Sequence, residues 1–240
     1  MSPTTRAASE NRLLAALPPK DRLRFLAGCE PVELVFAEVL AEPGDIIRHV
    51  HFPTQSFVSL TIPIEPNANL EVGLVGDEGM LGVSLILGVD VSPLHALVQG
   101  AGQALRMRTA QFRRELERSV ALQRTLKRYL YVLMRQLAQN AACTRFHVVE
   151  ARLARWLLMT QDRAHADAFH VTQEFLAYML GVRRVGVTQA ATSLQDRSLI
   201  SYRRGEITIA DRGGLEAVSC VCYEADRATY ARVMGQPTPR

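Results

Sequence analysis

The sequence predicts an α+β chain in three parts: a β-rich module over residues 1–108, a long helix with its hinge over 109–145, and a helical module with a hairpin over 146–240. Three observations carry this. Short apolar runs punctuated by Gly and Pro fill the first part. From Thr109 to Ala142 there is no Gly or Pro, and Arg, Leu, Gln and Ala dominate. From Thr172 to Ile209, two short amphipathic helices joined at a glycine lead into two short β-runs around a tight turn.

The first part begins with helices at Glu10 to Leu17, stopped by Pro18-Pro19, and near Asp21 to Ala27. Apolar runs follow at Leu34–Leu40, Ile46–Phe52, Phe57–Ile62, Leu70–Val75, Leu94–Val98 and Ala104–Met107. Turns at Glu42-Pro43-Gly44-Asp45, Pro66-Asn67, Gly76-Asp77, Gly88 and Gly100-Ala101-Gly102 separate them. Strands this short and this regularly interrupted argue a small sandwich or barrel.

In the middle helix Leu126, Leu130, Leu133 and Leu137 are spaced 4, 3, 4, which is a coiled-coil seam, and Asn140 continues it. The seam predicts a homodimer; a core helix packed on the β-module is the other reading. Ala141 to His147 is expected to be a hinge. The helix from His147 to Thr160 then packs the last module through Leu153, Ala154, Trp156, Leu157 and Leu158.

In that module Phe175, Leu176, Met179 and Leu180 form one apolar stripe, with Thr172 as N-cap and Glu174 in the first turn, where negative charge suits the helix dipole. Gly181 can take positive φ and reverse the chain. The next helix starts near Arg184 and turns Val187, Ala190, Ala191 and Leu194 inward. Arg184, Val185, Thr188 and Gln189 then face outward. Ser201-Tyr202-Arg203 and Ile207-Thr208-Ile209 flank a turn at Arg204-Gly205-Glu206. The pair of helices matches a helix-turn-helix, a unit that can enter the major groove of DNA.

These residues together resemble the winged helix-turn-helix of the Crp/Fnr family of bacterial transcription regulators, and the resemblance covers most of the chain. The Glu42 to Asp45 turn and the segment Gly76 to Gly82 are similar to the double-stranded β-roll of the cyclic-nucleotide-binding domain. The middle helix is similar in place and length to the family's dimerisation helix. The resemblance implies a homodimer that binds a pseudo-palindromic operator in double-stranded DNA. Base reading would fall to Arg184, Val185 and Gln189. Phosphate contacts would fall to Thr172, Gln173, Arg183, Thr188, Arg203 and Arg204. Well-known members carry an Arg-Glu pair and a later Arg at the base-reading places. Here only the first Arg is kept, so a different preferred site is expected. The resemblance also admits RNA polymerase and an unidentified small-molecule effector as partners. A signalling adaptor of the same fold that does not bind DNA is the alternative.

The chain departs from the family where a cyclic nucleotide would bind. The family's Gly-Glu pair aligns with Gly82-Val83, and its Arg-Ser pair with about Leu94-His95. Between Leu81 and Leu105 there is no Arg or Lys. A buried phosphate without a cation is strongly unfavourable, so this degenerate pocket is expected not to hold cyclic AMP or cyclic GMP tightly.

Net charge is −6 over residues 1–105, +9 over 106–155 and +1 over 156–240, so the cationic excess lies on the central helix rather than in the helix-turn-helix. It is either a solvated helix face or added attraction for phosphates. No cofactor and no metal site are expected. His49 and His51 share a strand face, but two ligands do not make a site. His95 stands alone. Only Cys29 precedes residue 140, too few for the family's N-terminal iron–sulfur centre. Cys220 and Cys222 read as helix or loop filler, with a thiol switch the other reading. No nucleophile elbow, P-loop or dinucleotide fingerprint occurs, so no enzyme is expected. No apolar run is long enough to span a membrane, and the first residues lack a signal-peptide core. No membrane association and a cytoplasmic location are therefore expected.

Overall fold

The computed structural model describes residues 10–65 and 68–235. The expected turn at Pro66-Asn67 lies outside them. The chain divides into two compact units. One comprises Met1–Val58 and Val75–Lys127, the other Ser59–Leu74 and Arg128–Arg240.

The first unit opens with α1 (Arg12–Ala15) and α2 (Pro19–Leu26). Asn11, fully buried, sets α1 in place. Its Oδ1 accepts from the amides of Leu13 (3.1 Å) and Leu14 (3.3 Å), and its Nδ2 donates to the carbonyls of Pro53 (3.0 Å) and Gly79 (2.8 Å). One side chain thus caps a helix and ties it to two distant loops, leaving little of its own polarity unpaired. Then come β1 (Glu30–Leu34), β2 (Val39–Ala41), β3 (His49–Pro53), β4 (Phe57–Glu65), β5 (Ala68–Val75), a 3-10 turn at Val83–Leu87, β6 (His95–Gly100) and β7 (Gly102–Arg108). One antiparallel sheet runs β1-β7-β3, and the second has the order β2-β6-β4-β5. These two sheets are the expected β-roll.

Two expectations need correction here. The apolar run Leu34–Leu40 is not one strand. Ala37 turns at φ 64°, where its amide donates to the Val98 carbonyl (2.9 Å), and the run breaks into the end of β1 and the start of β2. Nor does one helix run from Thr109 to Ala142. Ser119 is extended, and α3 (Thr109–Arg118) ends before it while α4 (Val120–Phe146) begins after it. The Ser119 hydroxyl accepts from the Leu122 amide at 3.0 Å, so a serine that reads as a tolerable helix residue acts as a cap and makes a boundary.

The second unit is built on α5 (Val149–Ala164), whose Leu153, Ala154, Leu157 and Leu158 are buried. There follow β8 (Ala168–His170), α6 (Gln173–Leu180), α7 (Arg184–Asp196), β9 (Ile200–Arg203), β10 (Glu206–Ile209), α8 (Arg212–Val218) and α9 (Cys222–Met234). The hairpin β9–β10 gains β8 as a third strand, in the order β8-β10-β9. The sequence reading passes over β8 because it is three residues long. The hinge expected at Ala141 to His147 is corrected as well: α4 stays helical through Phe146, and the chain turns only at His147 and Val148.

The distal parts of β4 and β5 form a ribbon that belongs to this second unit. On it Glu71 is buried. The Ser59 hydroxyl donates to its carboxylate at 2.6 Å, and burial pushes its pKa up to about 7. With Asn140, Arg152, Arg155, Trp156 and Asp226, Glu71 lines a cavity of about 40 Å³, which is room for water but not for a nucleotide. A carboxyl whose folded value is raised is penalised when it ionises. The penalty is absent while both states are protonated, grows as pH climbs from the ordinary carboxylate range, and is complete above about 7. Glu71→Gln should therefore stabilise the protein at about pH 8 in urea melts, with the difference from the parent vanishing near about pH 4.

Candidate nucleic-acid interface

The outward face of α6 and α7 is assembled from local rules. Thr172 caps α6, its hydroxyl accepting from the Phe175 amide at 3.1 Å. Gly181 takes φ 61° and ends the helix. A side chain there would also strike Leu70 of the ribbon, since an added Cβ would lie 2.9 Å from its Cδ1. After Val182 and Arg183, α7 starts at Arg184. Val187, Ala190, Ala191 and Leu194 are buried as expected, which leaves Arg184, Val185, Thr188 and Gln189 exposed.

Side chains on this face already engage one another. The Thr188 hydroxyl donates to Gln173 Oε1 at 2.7 Å, and Arg184 pairs with Glu174 at 3.3 Å. Both partners of that ion pair are well exposed, so it is weak and easily exchanged for another anion. The turn of the β9–β10 hairpin has positive φ at both Arg204 (51°) and Gly205 (81°), the signature of a two-residue hairpin turn. Arg203 and Arg204 are exposed at this tip, and Arg183 is exposed before α7. None of the three is paired with a carboxylate among the described residues. The Tyr202 phenol donates to the Val171 carbonyl at 2.9 Å, which braces the hairpin against the entry to α6. Burial raises its pKa, while the charge of Arg184 acts against that rise and so links hairpin and helix electrostatically.

The α4 residues separate into two sets. Leu122, Leu126, Tyr129 and Val132 are buried within the chain. Leu126 therefore drops out of the predicted seam, because it faces the chain's own core. Asn140 drops out as a register residue: its Nδ2 donates to the Glu71 carbonyl (3.0 Å) and its Oδ1 accepts from Arg155 (3.0 Å). Leu130 and Leu133 are half-buried, Leu137 is exposed, and Tyr131 and Met134 are exposed beside them.

In the first unit, the degenerate pocket residues are placed as follows. Gly82 takes φ 93° and starts the 3-10 turn at Val83. Val83 and Leu94 are half-buried. His95 Nδ1 lies 2.7 Å from Glu42 Oε2, so a carboxylate occupies the polar partner position that an anion would need. Asp77 lies in a turn, as read from the sequence; it is buried there and accepts from Arg12 Nε (3.1 Å) and Nη2 (2.9 Å). His49 and His51 gather no third metal-type ligand among the described residues. Cys220 and Cys222, read as filler, meet Cys143 and His147. The overlooked signal is the Cys143-x-x-x-His147 spacing, which sets both side chains on one helix face. Calorimetry with cyclic AMP is expected to show no submicromolar binding; a saturable submicromolar isotherm would overturn the account of this pocket.

Comparison with known proteins agrees with this geometry. Residues 151–218 match the Crp-like helix-turn-helix domain. No curated protein sequence matches the chain. Among solved structures, FixK2 from Bradyrhizobium japonicum is similar over 80% of this chain and 98% of its own, at 13% identity and a TM-score of 0.68. A crp/fnr-family transcriptional regulator from Eubacterium rectale is similar over 87% and 99%, at 14% identity and a TM-score of 0.68. The c-di-GMP responsive global regulator CLP of Xanthomonas campestris is similar over 80% and 99%, at 16% identity and a TM-score of 0.65. No helix among the described residues is long and apolar enough to cross a membrane. Residues 151–218 thus carry a Crp-like helix-turn-helix domain, and the chain has the fold of these structures: a β-roll, a long helix and a helix-turn-helix module in that order.

Proposed function

We propose that this protein is a homodimeric transcription regulator that binds a pseudo-palindromic DNA site through α7, with a sensor module that does not use cyclic AMP. The observation that carries the reading is the two-sidedness of α7. Its apolar residues are all buried, except Val185 at 61% exposure, and its exposed face carries Arg184, Val185, Thr188 and Gln189 beside the arginines of the hairpin. In this reading Arg184 takes a guanine edge, Gln189 an adenine and Val185 a thymine methyl. Thr172, Gln173, Arg183, Thr188, Arg203 and Arg204 meet phosphates, which set register without reading sequence. Arg183, Arg203 and Arg204, which pair with no carboxylate among the described residues, support that role.

One α7 in one groove gives little specificity, whereas two related by a dyad read half-sites about 34 Å apart. The stripe of half-buried Leu130 with exposed Met134 and Leu137, flanked by Leu133 and Tyr131, is the surface we assign to the dimer. The same reading leaves RNA polymerase and a small-molecule effector as further partners, and a cytoplasmic location.

Selection of bound sequences from random DNA, followed by mobility shifts at several salt concentrations, tests the reading. Arg184→Ala should cost about 1–3 kcal/mol on the selected site and relax preference at one base position. Arg203→Ala should weaken selected and random DNA alike and lower the salt slope by about 1. Identical behaviour of the two variants, or no binding by the parent at low salt, would remove the assignment and favour a fold-sharing adaptor. Met134→Glu with Leu137→Glu should give monomers in sedimentation and lose the two-site complex while retaining the folded circular dichroism spectrum.

A further inference from the structure

Cys143 and His147 stand one turn apart at the end of α4, and Cys220 and Cys222 lie where the chain passes from α8 into α9. All four belong to the second unit. Their ligand atoms, three Sγ and one imidazole nitrogen, lie within 4.8 Å of one another. The Cys143 and Cys220 sulfurs are 3.5 Å apart, and Cys222 Sγ is 3.5 Å from His147 Nδ1.

The two 3.5 Å separations match the edges of a tetrahedron around one ion, and the remaining pairs lie within 4.8 Å. Zinc–thiolate bonds of about 2.3 Å and zinc–imidazole bonds of about 2.0–2.1 Å set tetrahedral edges of roughly 3.5–3.8 Å. A polynuclear iron–sulfur cluster spreads its ligands over two or more irons, wider than this spacing allows. The donor set is soft, with three thiols and one imidazole, which selects against calcium and magnesium.

The surroundings are built for such a centre. The three cysteines are buried, while His147 is half-exposed and leaves a route for entry. Gln139 Nε2 donates to Cys222 Sγ at 3.0 Å, the kind of outer contact that orients a thiolate. Three thiolates on a divalent ion carry one net negative charge, and the buried guanidiniums of Arg152 and Arg155 lie within electrostatic reach of Cys143 and Cys220. Cys143-x-x-x-His147 has the spacing of a helical zinc pair; Cys220-x-Cys222 is one residue tighter than the usual Cys pair, and it sits where the chain is turning.

We propose that Cys143, His147, Cys220 and Cys222 bind one zinc-class ion that clasps the last turn of α4 to the α8–α9 junction. The claim is independent of DNA binding. It concerns a clasp inside the second unit, and its loss would leave the groove-reading assignment of α7 standing.

The test uses the full chain purified under reducing conditions. Elemental analysis is expected to give one zinc per chain. Cobalt added to chelator-treated protein should give the intense visible bands of a tetrahedral thiolate site, bleached by stoichiometric zinc. Cys143→Ser, Cys220→Ser and Cys222→Ser should each lose the bound metal or shift the cobalt spectrum, whereas Cys29→Ser should keep both. His147→Cys should retain one metal with a spectrum shifted towards four sulfurs. The cobalt titration of the parent chain keeps the test decisive where a variant fails to fold. Absence of metal and of any cobalt spectrum in that chain would overturn the proposal. So would mass spectrometry showing a Cys143–Cys220 disulfide in metal-free protein that cobalt cannot enter after reduction.

Discussion

Two buried guanidiniums on α5 organise the helical unit. Arg155 donates to Asp226 of α9 at 2.7 Å and to Asn140 of α4 at 3.0 Å. Arg152 donates to the carbonyl of Leu180, the last residue of α6. One helix thereby holds the end of α4, the start of the helix-turn-helix turn and the C-terminal helix. Removing one member of such a buried set leaves an uncompensated charge, a loss of about 3–5 kcal/mol. The hydrophobic side of α5 would be satisfied by many helix arrangements. The arginines select one, because each needs its acceptors at fixed places. The position of Gly181, and with it the start of α7, follows from the Arg152 contact.

Charge is handled differently in the two units. The β-roll is acidic, and some of its polar groups are engaged locally: Arg12 pairs with Asp77, and His95 Nδ1 lies 2.7 Å from Glu42 Oε2. The helix-turn-helix keeps its arginines at the surface, paired weakly or not at all. The chain's surplus positive charge lies mainly outside α7.

Much of this was legible in the sequence, for definable reasons. Gly181 and the periodicity of Val187, Ala190, Ala191 and Leu194 mark the α6–α7 pair, because helix burial follows a period that one strand of letters displays. The hairpin was legible because Arg204-Gly205 sits between two β-runs. Other features depended on distant partners. Ser119 breaks a helix through a cap that propensity does not distinguish from an interior serine. Leu126 and Leu130 look alike in a heptad, and only the fold buries the first. Asn140 fits the seam spacing, yet its amide is taken by Glu71 and Arg155. The cysteine–histidine cluster draws on residues 77 positions apart, beyond any local pattern, although the helical Cys-x-x-x-His half was in view.

The ribbon formed by β4 and β5 has a consequence for how the molecule can be divided. Its residues leave the N-terminal module and return to it, yet Ser59 Oγ lies 3.5 Å from Met179 Sδ of α6 and Leu70 packs beside Gly181. A fragment cut at Arg128, although it would contain the whole Crp-like match, would be stripped of these strands and would expose Met179 and Trp156 to solvent. The DNA-binding unit is thus not a portable cassette. Part of its wall is lent by a stretch of chain that is synthesised before the long helix, so the unit is complete only once segments from both sides of the stretch 75–127 have come together.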